Sequence, residues 1–125
     1  AALGAPLGHD HAVVSLSDLH TPWEVIERRL HAAAAADFAV ALYNPRSAGR
    51  PWQLDAARRI LLCHRRPDTP VGVVTDVCRD AQRVRLTTLA ALDVREVGMT
   101  TCVLVGASTS RGAAGRIVTP RGYPA

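Results

Sequence analysis

The chain has 125 residues, of which 48% are hydrophobic, enough for one compact domain with a buried core. No apolar run reaches the roughly 20 residues that a membrane span requires, and no signal peptide is recognisable, so we expect a cytoplasmic protein without a membrane partner. All basic side chains are arginine, which leaves no lysine for Walker-type phosphate binding or Schiff-base chemistry. The odd number and wide spacing of Cys63, Cys78 and Cys102 predict reduced structural thiols.

The net charge of +4 suits a polyanionic partner. A nucleic-acid surface concentrates arginine and aromatic residues, whereas pairs such as Arg28-Arg29 and Arg58-Arg59 are scattered here and only 4% of the residues are aromatic. We therefore predict no nucleic-acid partner. A guanidinium group can hold a carboxylate bidentately, so a small molecule with several carboxylates fits this charge.

The first third of the chain predicts a strand followed by an amphipathic helix. Residues 1–6 resemble the last turn of a helix, ended by Gly4 and Pro6, and we expect the chain to be a fragment of a longer protein. Residues 12–17 are rich in β-branched and apolar side chains, which indicates a strand. A capping box begins the helix at Thr21, Pro22 and Glu24. The apolar face of this helix is formed by Trp23, Ile26, Leu30 and Ala33 or Ala34.

The remaining elements predict further strands and one more helix. Residues 38–43 show no polar alternation, which is typical of a central strand covered on both faces. A helix over 52–65 places Trp52, Ala56, Ile60 and Cys63 on one side, and a brief helix is possible at 89–92. We expect core strands at 71–74 and 102–105, an antiparallel or edge strand at 84–87, and a short segment at 117–118. This order predicts an α/β sandwich around a mixed sheet.

Two loops have alternative interpretations. The run from Gly106 to Gly112 follows a core strand and superficially resembles a phosphate cradle, but no predicted helix follows it, so a plain hairpin or a flap that contacts substrate is also open. His9, Asp10 and His11 have side chains that suit zinc or iron, yet no further ligands match them. We therefore predict no metal site, and we identify no catalytic residue.

The turn at Tyr43, Asn44 and Pro45 ends the predicted central strand. Ligands of open α/β sheets bind outside the carboxyl ends of strands, where loops expose backbone donors and acceptors. On its own, however, an Asn-Pro pair favours an ordinary turn. The turn becomes evidence for a ligand site only together with the sequence blocks that accompany it along the chain.

Six such blocks occur in one order across essentially the whole sequence. They are Leu7-Gly8-His9-Asp10, Ser15-Leu16-Ser17-Asp18-Leu19 with Thr21-Pro22-Trp23, Tyr43-Asn44-Pro45-Arg46-Ser47, Thr69-Pro70-Val71-Gly72-Val73-Val74, Leu86-Thr87-Thr88-Leu89 and Thr119-Pro120-Arg121-Gly122-Tyr123. Together they resemble the S-adenosylmethionine-dependent tetrapyrrole methyltransferases, in the branch that serves cobalamin synthesis.

The resemblance implies a two-lobed α/β enzyme that binds S-adenosylmethionine in the cleft between its lobes and works as a homodimer. Residues 1–125 correspond to the C-terminal lobe, and the N-terminal lobe with its Gly-Gly-Asp-Pro-type loop is missing from this sequence. The implied reaction is methylation of carbon 17 of precorrin-3B, a polycarboxylate tetrapyrrole, or of its cobalt analogue, with contraction of the ring.

The resemblance also implies site residues, position by position. Backbone contacts with the methyl donor are expected at Tyr43, Asn44, Pro45, Asp76, Val77, Thr101 and Cys102. Candidates on the substrate side are Asp10, Ser17, Asp18 and Thr21, together with the loop arginines Arg46, Arg79 and Arg111. The branch commonly has Asn-Ala-Gly-Arg where this chain has Asp76-Val77-Cys78-Arg79, and often has Asn at the position of Ala107.

The sequence is also compatible with two other functions. One is a noncatalytic module that binds tetrapyrroles or forms dimers. The other is a domain that binds a sugar phosphate or nucleotide phosphate through the glycine-rich loop from Gly106 to Gly115.

Overall fold

The computed structural model describes residues 4–5, 10–43, 52–75, 83–97, 101–108, 110–113 and 116–118. Its strands are β1 (Gly4–Ala5), β2 (His11–Ser15), β3 (Ala39–Tyr43), β4 (Pro70–Thr75), β5 (Arg83–Thr88), β6 (Thr101–Val105), β7 (Arg111–Ala113) and β8 (Arg116–Val118). Its helices are α1 (Trp23–Ala35) and α2 (Gln53–Leu62), and a 3₁₀ turn spans Val94–Glu96.

A five-stranded sheet in the order β2-β3-β6-β4-β5 organises the domain. Strands β2 and β3 are parallel, β6 runs antiparallel to both β3 and β4, and β5 is antiparallel to β4. The predicted mixed sheet and the antiparallel strand over 84–87 are therefore confirmed. Strands β2, β3 and β4 all end at the same edge of the sheet, where β5 and β6 begin.

A small second sheet was not predicted. It has the order β1-β8-β7, and its strand β1 pairs in parallel with β8 through Gly4 and Ile117. The helical interpretation of residues 1–6 is therefore wrong at Gly4–Ala5. The hairpin of β7 and β8 includes the predicted segment 117–118.

Both helices pack on one face of the large sheet. Residues alternate between the two faces of a strand, and Val40 and Leu42 of β3 are buried on the helix side. The predicted apolar face of α1 is confirmed, since Ile26, Leu30, Ala33 and Ala34 are all buried.

The apolar face predicted for α2 is largely wrong. Only Ile60 of the predicted set is buried, whereas Leu54, Ala57 and Leu61 form the rest of the core face. Trp52 lies before the helix and packs edge to face on Trp23, with ring centroids 4.8 Å apart. A large apolar side chain at the helix start thus shifted the predicted face.

Two predicted helix features also differ from the structure. Helix α1 begins at Trp23, and Pro22 takes the N-cap position, where it has no side-chain acceptor to offer; no capping box forms there. The helix expected at 89–92 is a turn followed by the 3₁₀ turn. The amide of Leu89 donates to the carbonyl of Thr69 at 2.9 Å, and that of Ala90 donates to Pro67 at 3.0 Å, and these two bonds tie the turn to the segment before β4.

Helix α1 ends in a Schellman motif with aspartate in the left-handed position. The amide of Phe38 donates to the carbonyl of Ala33 and that of Asp37 to Ala34, both at 3.0 Å. Asp37 has a φ of 63°, a region that favours glycine but admits Asp and Asn. Its carboxylate accepts hydrogen bonds from the amide and hydroxyl of Ser108, and it lies 3.5 Å from Nη1 of the buried Arg65.

These contacts predict an acid-sensitive contribution of Asp37 to stability. Burial alone raises the pKa of the Asp37 carboxyl, but the hydrogen bonds from Ser108 and the charge of Arg65 outweigh it and leave the pKa below its ordinary value. A carboxyl whose pKa is lower in the folded state stabilises the fold above its unfolded pKa and loses that contribution as the pH falls through its folded pKa.

We therefore expect Asp37→Asn to be less stable than the parent in urea denaturation at neutral pH, with a difference that shrinks as the pH falls through the folded pKa of Asp37, which lies below its ordinary value of 3.8. Asparagine tolerates the same φ, so the substitution isolates the charge. Asp68→Asn is the control, because Asp68 pairs with Arg66 on the exposed surface. An equal loss of stability for Asp37→Asn at neutral pH and at low pH would contradict a stabilising role for the Asp37 charge.

Candidate functional site

The edge where β2, β3 and β4 end is the candidate site, and we call it the strand-end edge. The register places Ser15 beside Tyr43, and Thr75 between Thr101 and Arg83. Residues at the ends of all five strands therefore form a continuous row. Both helices also begin at this edge, because α1 follows β2 and α2 follows β3.

The described residues among the expected cofactor contacts all lie at the strand-end edge. Tyr43 is 43% exposed, and its carbonyl accepts a hydrogen bond from the amide of Leu16 at 3.0 Å. Thr101 is buried and Cys102 half-buried, at the start of β6. Burial raises the pKa of the Cys102 thiol, so this side chain is uncharged at neutral pH. Asn44, Pro45, Asp76 and Val77 lie outside the described residues, directly after β3 and β4 in the sequence.

Only some of the predicted substrate-side residues come together. Ser17, Asp18 and Thr21 lie between β2 and α1, at the strand-end edge. Asp10 precedes β2 and lies at the other end of this five-residue strand, roughly 17 Å away by the rise per residue. Arg46, Arg79 and the side chain of Arg111 lie outside what the structure describes, although Arg111 begins β7. Asp10 is therefore separated from the other described candidates, and its role as a substrate contact stays a prediction of the resemblance.

The segment after β2 is fixed by local hydrogen bonds. The Ser15 hydroxyl accepts from the amide of Ser17 at 3.3 Å, and the Ser17 hydroxyl accepts from the amide of Leu19 at 3.4 Å. A longer-range bond joins this segment to α2, because Nε2 of Gln53 donates to Oδ1 of Asp18 at 3.2 Å. Sequence reasoning missed Gln53, whose side chain is only 1% exposed.

Sequence reasoning also missed a basic cavity next to the strand-end edge. The cavity has a volume of about 420 Å³ and is lined by Val73, Thr75, Arg83 and Arg85. Register pairs Arg85 with Val73 and Arg83 with Thr75, which puts both guanidinium groups on one face. The Arg-Val-Arg alternation of β5 was the available signal, since residues two apart on a strand share a face.

The glycine-rich loop after β6 does not offer a free phosphate cradle. Ser108 already donates its amide, at 2.8 Å, and its hydroxyl to the carboxylate of Asp37. A Cβ on Gly106 would lie 2.5 Å from Cβ of Ser110, so the loop is packed tightly. A second cavity, of about 270 Å³, adjoins this loop at the sheet edge opposite the strand-end edge. The proposal of a phosphate-binding domain therefore loses support.

The described part of the chain contains no group of three or more His, Cys, Asp and Glu residues placed to hold a metal ion. Cys63 and Cys102 are free thiols; Cys102 is half-buried, but Cys63 is exposed rather than part of the core. Neither described helix is long and apolar enough to cross a membrane.

The fold and the row of strand ends define an α/β domain of the kind that binds ligands at one sheet edge. The family model for Tetrapyrrole (Corrin/Porphyrin) Methylases matches residues 1–93. The chain belongs to this family.

Individual relatives agree with the family match. The chain is 51% identical over 121 residues to a cobalt-factor III methyltransferase of Priestia megaterium, covering 97% of this chain and 22% of that protein. It is 42% identical over 128 residues to a precorrin-3B C(17)-methyltransferase of Sinorhizobium sp, covering 98% of this chain and 50% of that one. A crystal structure of the methyltransferase CobJ superposes with a TM-score of 0.90 at 38% identity, over 95% of this chain and 50% of CobJ. The chain thus spans half or less of the length of these relatives.

Proposed function

We propose that this chain is the C-terminal lobe of an S-adenosylmethionine-dependent methyltransferase of cobalamin biosynthesis. The reaction is methylation of carbon 17 of precorrin-3B, or of its cobalt analogue cobalt-factor III, with ring contraction. The similarity to relatives named for both substrates, together with the CobJ-like fold, carries the proposal. The remainder of the active site belongs to an N-terminal lobe, and the complete enzyme is a cytoplasmic homodimer.

The residues of the strand-end edge fit a bound S-adenosylmethionine. The methyl donor supplies an electrophilic methyl group on a sulfonium. An exposed Tyr43 and an uncharged Cys102 border the place where β3 and β6 meet, so the donor can lie against backbone there with no thiolate from Cys102 beside it. Backbone groups at residues 43–45, 76–77 and 101–102 hold and orient it.

The cavity beside β5 fits the acidic side chains of the tetrapyrrole. Arg83 and Arg85 present two cations on one face, and the Thr75 side chain lies between this pair and β6. A guanidinium group binds a carboxylate with two parallel hydrogen bonds. This chain therefore contributes by positioning the ring carbon against the methyl group, which is the main requirement of a bimolecular transfer.

An apolar surface supports the docking of further protein. Val13, Tyr43 and Val84 are each exposed by more than a third, and strand alternation puts all three on the sheet face opposite the helices. Apolar side chains that share one face are typical of surfaces that pack against other protein. The N-terminal lobe or the second subunit covers them.

The proposal is tested with the full-length protein and a radiolabelled methyl donor. We expect label to appear in precorrin-3B or cobalt-factor III. Arg83→Gln with Arg85→Gln is expected to raise the KM for the tetrapyrrole at least about tenfold, the cost of a lost charge-assisted contact, with little change in the KM for the donor. Arg59→Gln, on the exposed side of α2, is the matched control.

Two results of this experiment would count against the proposal. No transfer to either tetrapyrrole by the full-length protein would contradict the methyltransferase assignment. If the isolated chain shifted the absorbance of a tetrapyrrole while the full-length protein bound no methyl donor, the noncatalytic binding module would replace it.

A further inference from the structure

The amide of Gln53 is buried at the start of α2, with a hydrogen bond from its nitrogen and none to its oxygen. Its Nε2 donates to Asp18, but its Oε1 has no partner although the atom is inaccessible to solvent. A buried acceptor without a donor costs free energy, and native cores contain few of them. An apolar side chain of the same length would fill this position without that cost.

The orientation of the amide explains why its oxygen remains without a donor. The carboxylate of Asp18 accepts hydrogen bonds and donates none when ionised, so the NH₂ group must face it. Turning the amide over would place two oxygens against each other. The contact with Asp18 is thus kept at the expense of Oε1, which is the pattern expected when a local interaction serves function rather than stability.

The position of Asp18 connects this contact with the site. Asp18 follows β2 at the strand-end edge, in the segment that is tied to β3 by the bond from Leu16 to Tyr43. Gln53 opens the helix that follows β3. The bond between Gln53 and Asp18 therefore spans the two elements that border the proposed ligand site, and it fixes the direction of a carboxylate that has several acceptor positions.

We propose that Gln53 is a positioning residue that holds the Asp18 carboxylate so that it accepts a hydrogen bond from an N–H or O–H group of a bound ligand. This inference rests on the proposed function. Such donors exist on both ligands: the ammonium and ribose hydroxyls of S-adenosylmethionine, and the pyrrole N–H groups of a metal-free tetrapyrrole. Separate KM values for the two substrates distinguish the sources.

The test compares Gln53→Met with the parent in the full-length enzyme. Methionine keeps the length and removes both the donor and the unpartnered acceptor, so the urea midpoint should stay the same or rise. We expect kcat/KM to fall about tenfold or more, because a bond to a charged group is lost. If only the KM of the methyl donor rises, the group that donates to Asp18 belongs to the methyl donor. If only the KM of the tetrapyrrole rises, that group belongs to the tetrapyrrole.

Two further variants separate positioning from packing. Asp18→Asn combined with Gln53→Glu keeps one donor facing one carboxylate but moves the charge from Asp18 to the buried position, and we expect activity to stay low. Asp55→Asn removes a carboxylate from the same helix, where it pairs with Arg59 on the surface, and should leave both KM values unchanged.

The possible failures are distinguishable. If Gln53→Met lowers the urea midpoint and leaves kcat/KM at the parent value, or if the double variant restores full activity, the positioning role is wrong while the proposed function stands. If the parent enzyme itself transfers no methyl group, the proposed function fails first.

Discussion

Replacing Arg65 with methionine is expected to lower the free energy of unfolding by about 3 to 5 kcal/mol, the usual cost of breaking a buried charge network. The Arg65 side chain is only 1% exposed. Its guanidinium group donates to the carbonyls of Ala34, Phe38 and Gly106. It thereby joins the end of α1, the start of β3 and the end of β6.

Methionine would fill part of the volume but leave these three carbonyls without their donor and Asp37 without its cation. Burial lowers the pKa of Arg65 and the charge of Asp37 opposes that shift, yet arginine stays protonated in either case. Arg65→Lys should also be costly, by about 2 kcal/mol or more, because one ammonium cannot reproduce the planar fork.

Arg66→Met is the matched control for Arg65. The neighbouring side chain is exposed and forms an ion pair with Asp68, so its loss should change stability by less than about 0.5 kcal/mol. Urea denaturation measures both variants. Similar losses for Arg65→Met and Arg66→Met would contradict a central role for the buried guanidinium.

A second large effect is expected at Leu42, in the middle of the sheet. The Leu42 side chain is 1% exposed, and β3 lies between β2 and β6 under the helices. Leu42→Ala removes three buried carbon atoms and leaves a cavity that the surrounding strands cannot close. We expect a loss of about 3 to 4 kcal/mol in the free energy of unfolding.

Tyr43 provides the comparison on the same strand. Its side chain lies on the opposite face and is 43% exposed, so Tyr43→Ala should cost only about 1 kcal/mol. Thermal denaturation of the two variants tests the assignment of faces. If Tyr43→Ala lost more stability than Leu42→Ala, the core would lie on the Tyr43 face of β3, and the assignment of faces would be wrong.

The parts of the fold that could be predicted are those whose signals are local. The apolar spacing in α1 and the unbroken apolar run of β3 each lie within one element, and the structure confirms both. Strand β1 has two residues and pairs with a strand more than a hundred positions away, so no local pattern exists to reveal it. Trp52 misled the prediction for α2 because its hydrophobicity is used in a contact with Trp23 outside the helix.

The residues of the candidate site show the same difference between local signals and tertiary contacts. The ends of β2 and β3 and the start of β6 are predicted as ligand-facing positions, and topology brings them to one edge. Gln53 and Arg65 carry polar groups in helical or turn segments, which in a sequence is typical of solvated positions. Only the tertiary structure shows that both are buried and what they hold.

A calorimetric titration of S-adenosylhomocysteine into the full-length protein and into the isolated 125-residue chain tests directly whether this chain is one lobe of a methyltransferase. We expect saturable binding to the full-length protein and none to the isolated chain, because the strand-end edge forms one wall of a cleft. Absence of binding to the full-length protein would contradict the assignment of this chain to a methyltransferase.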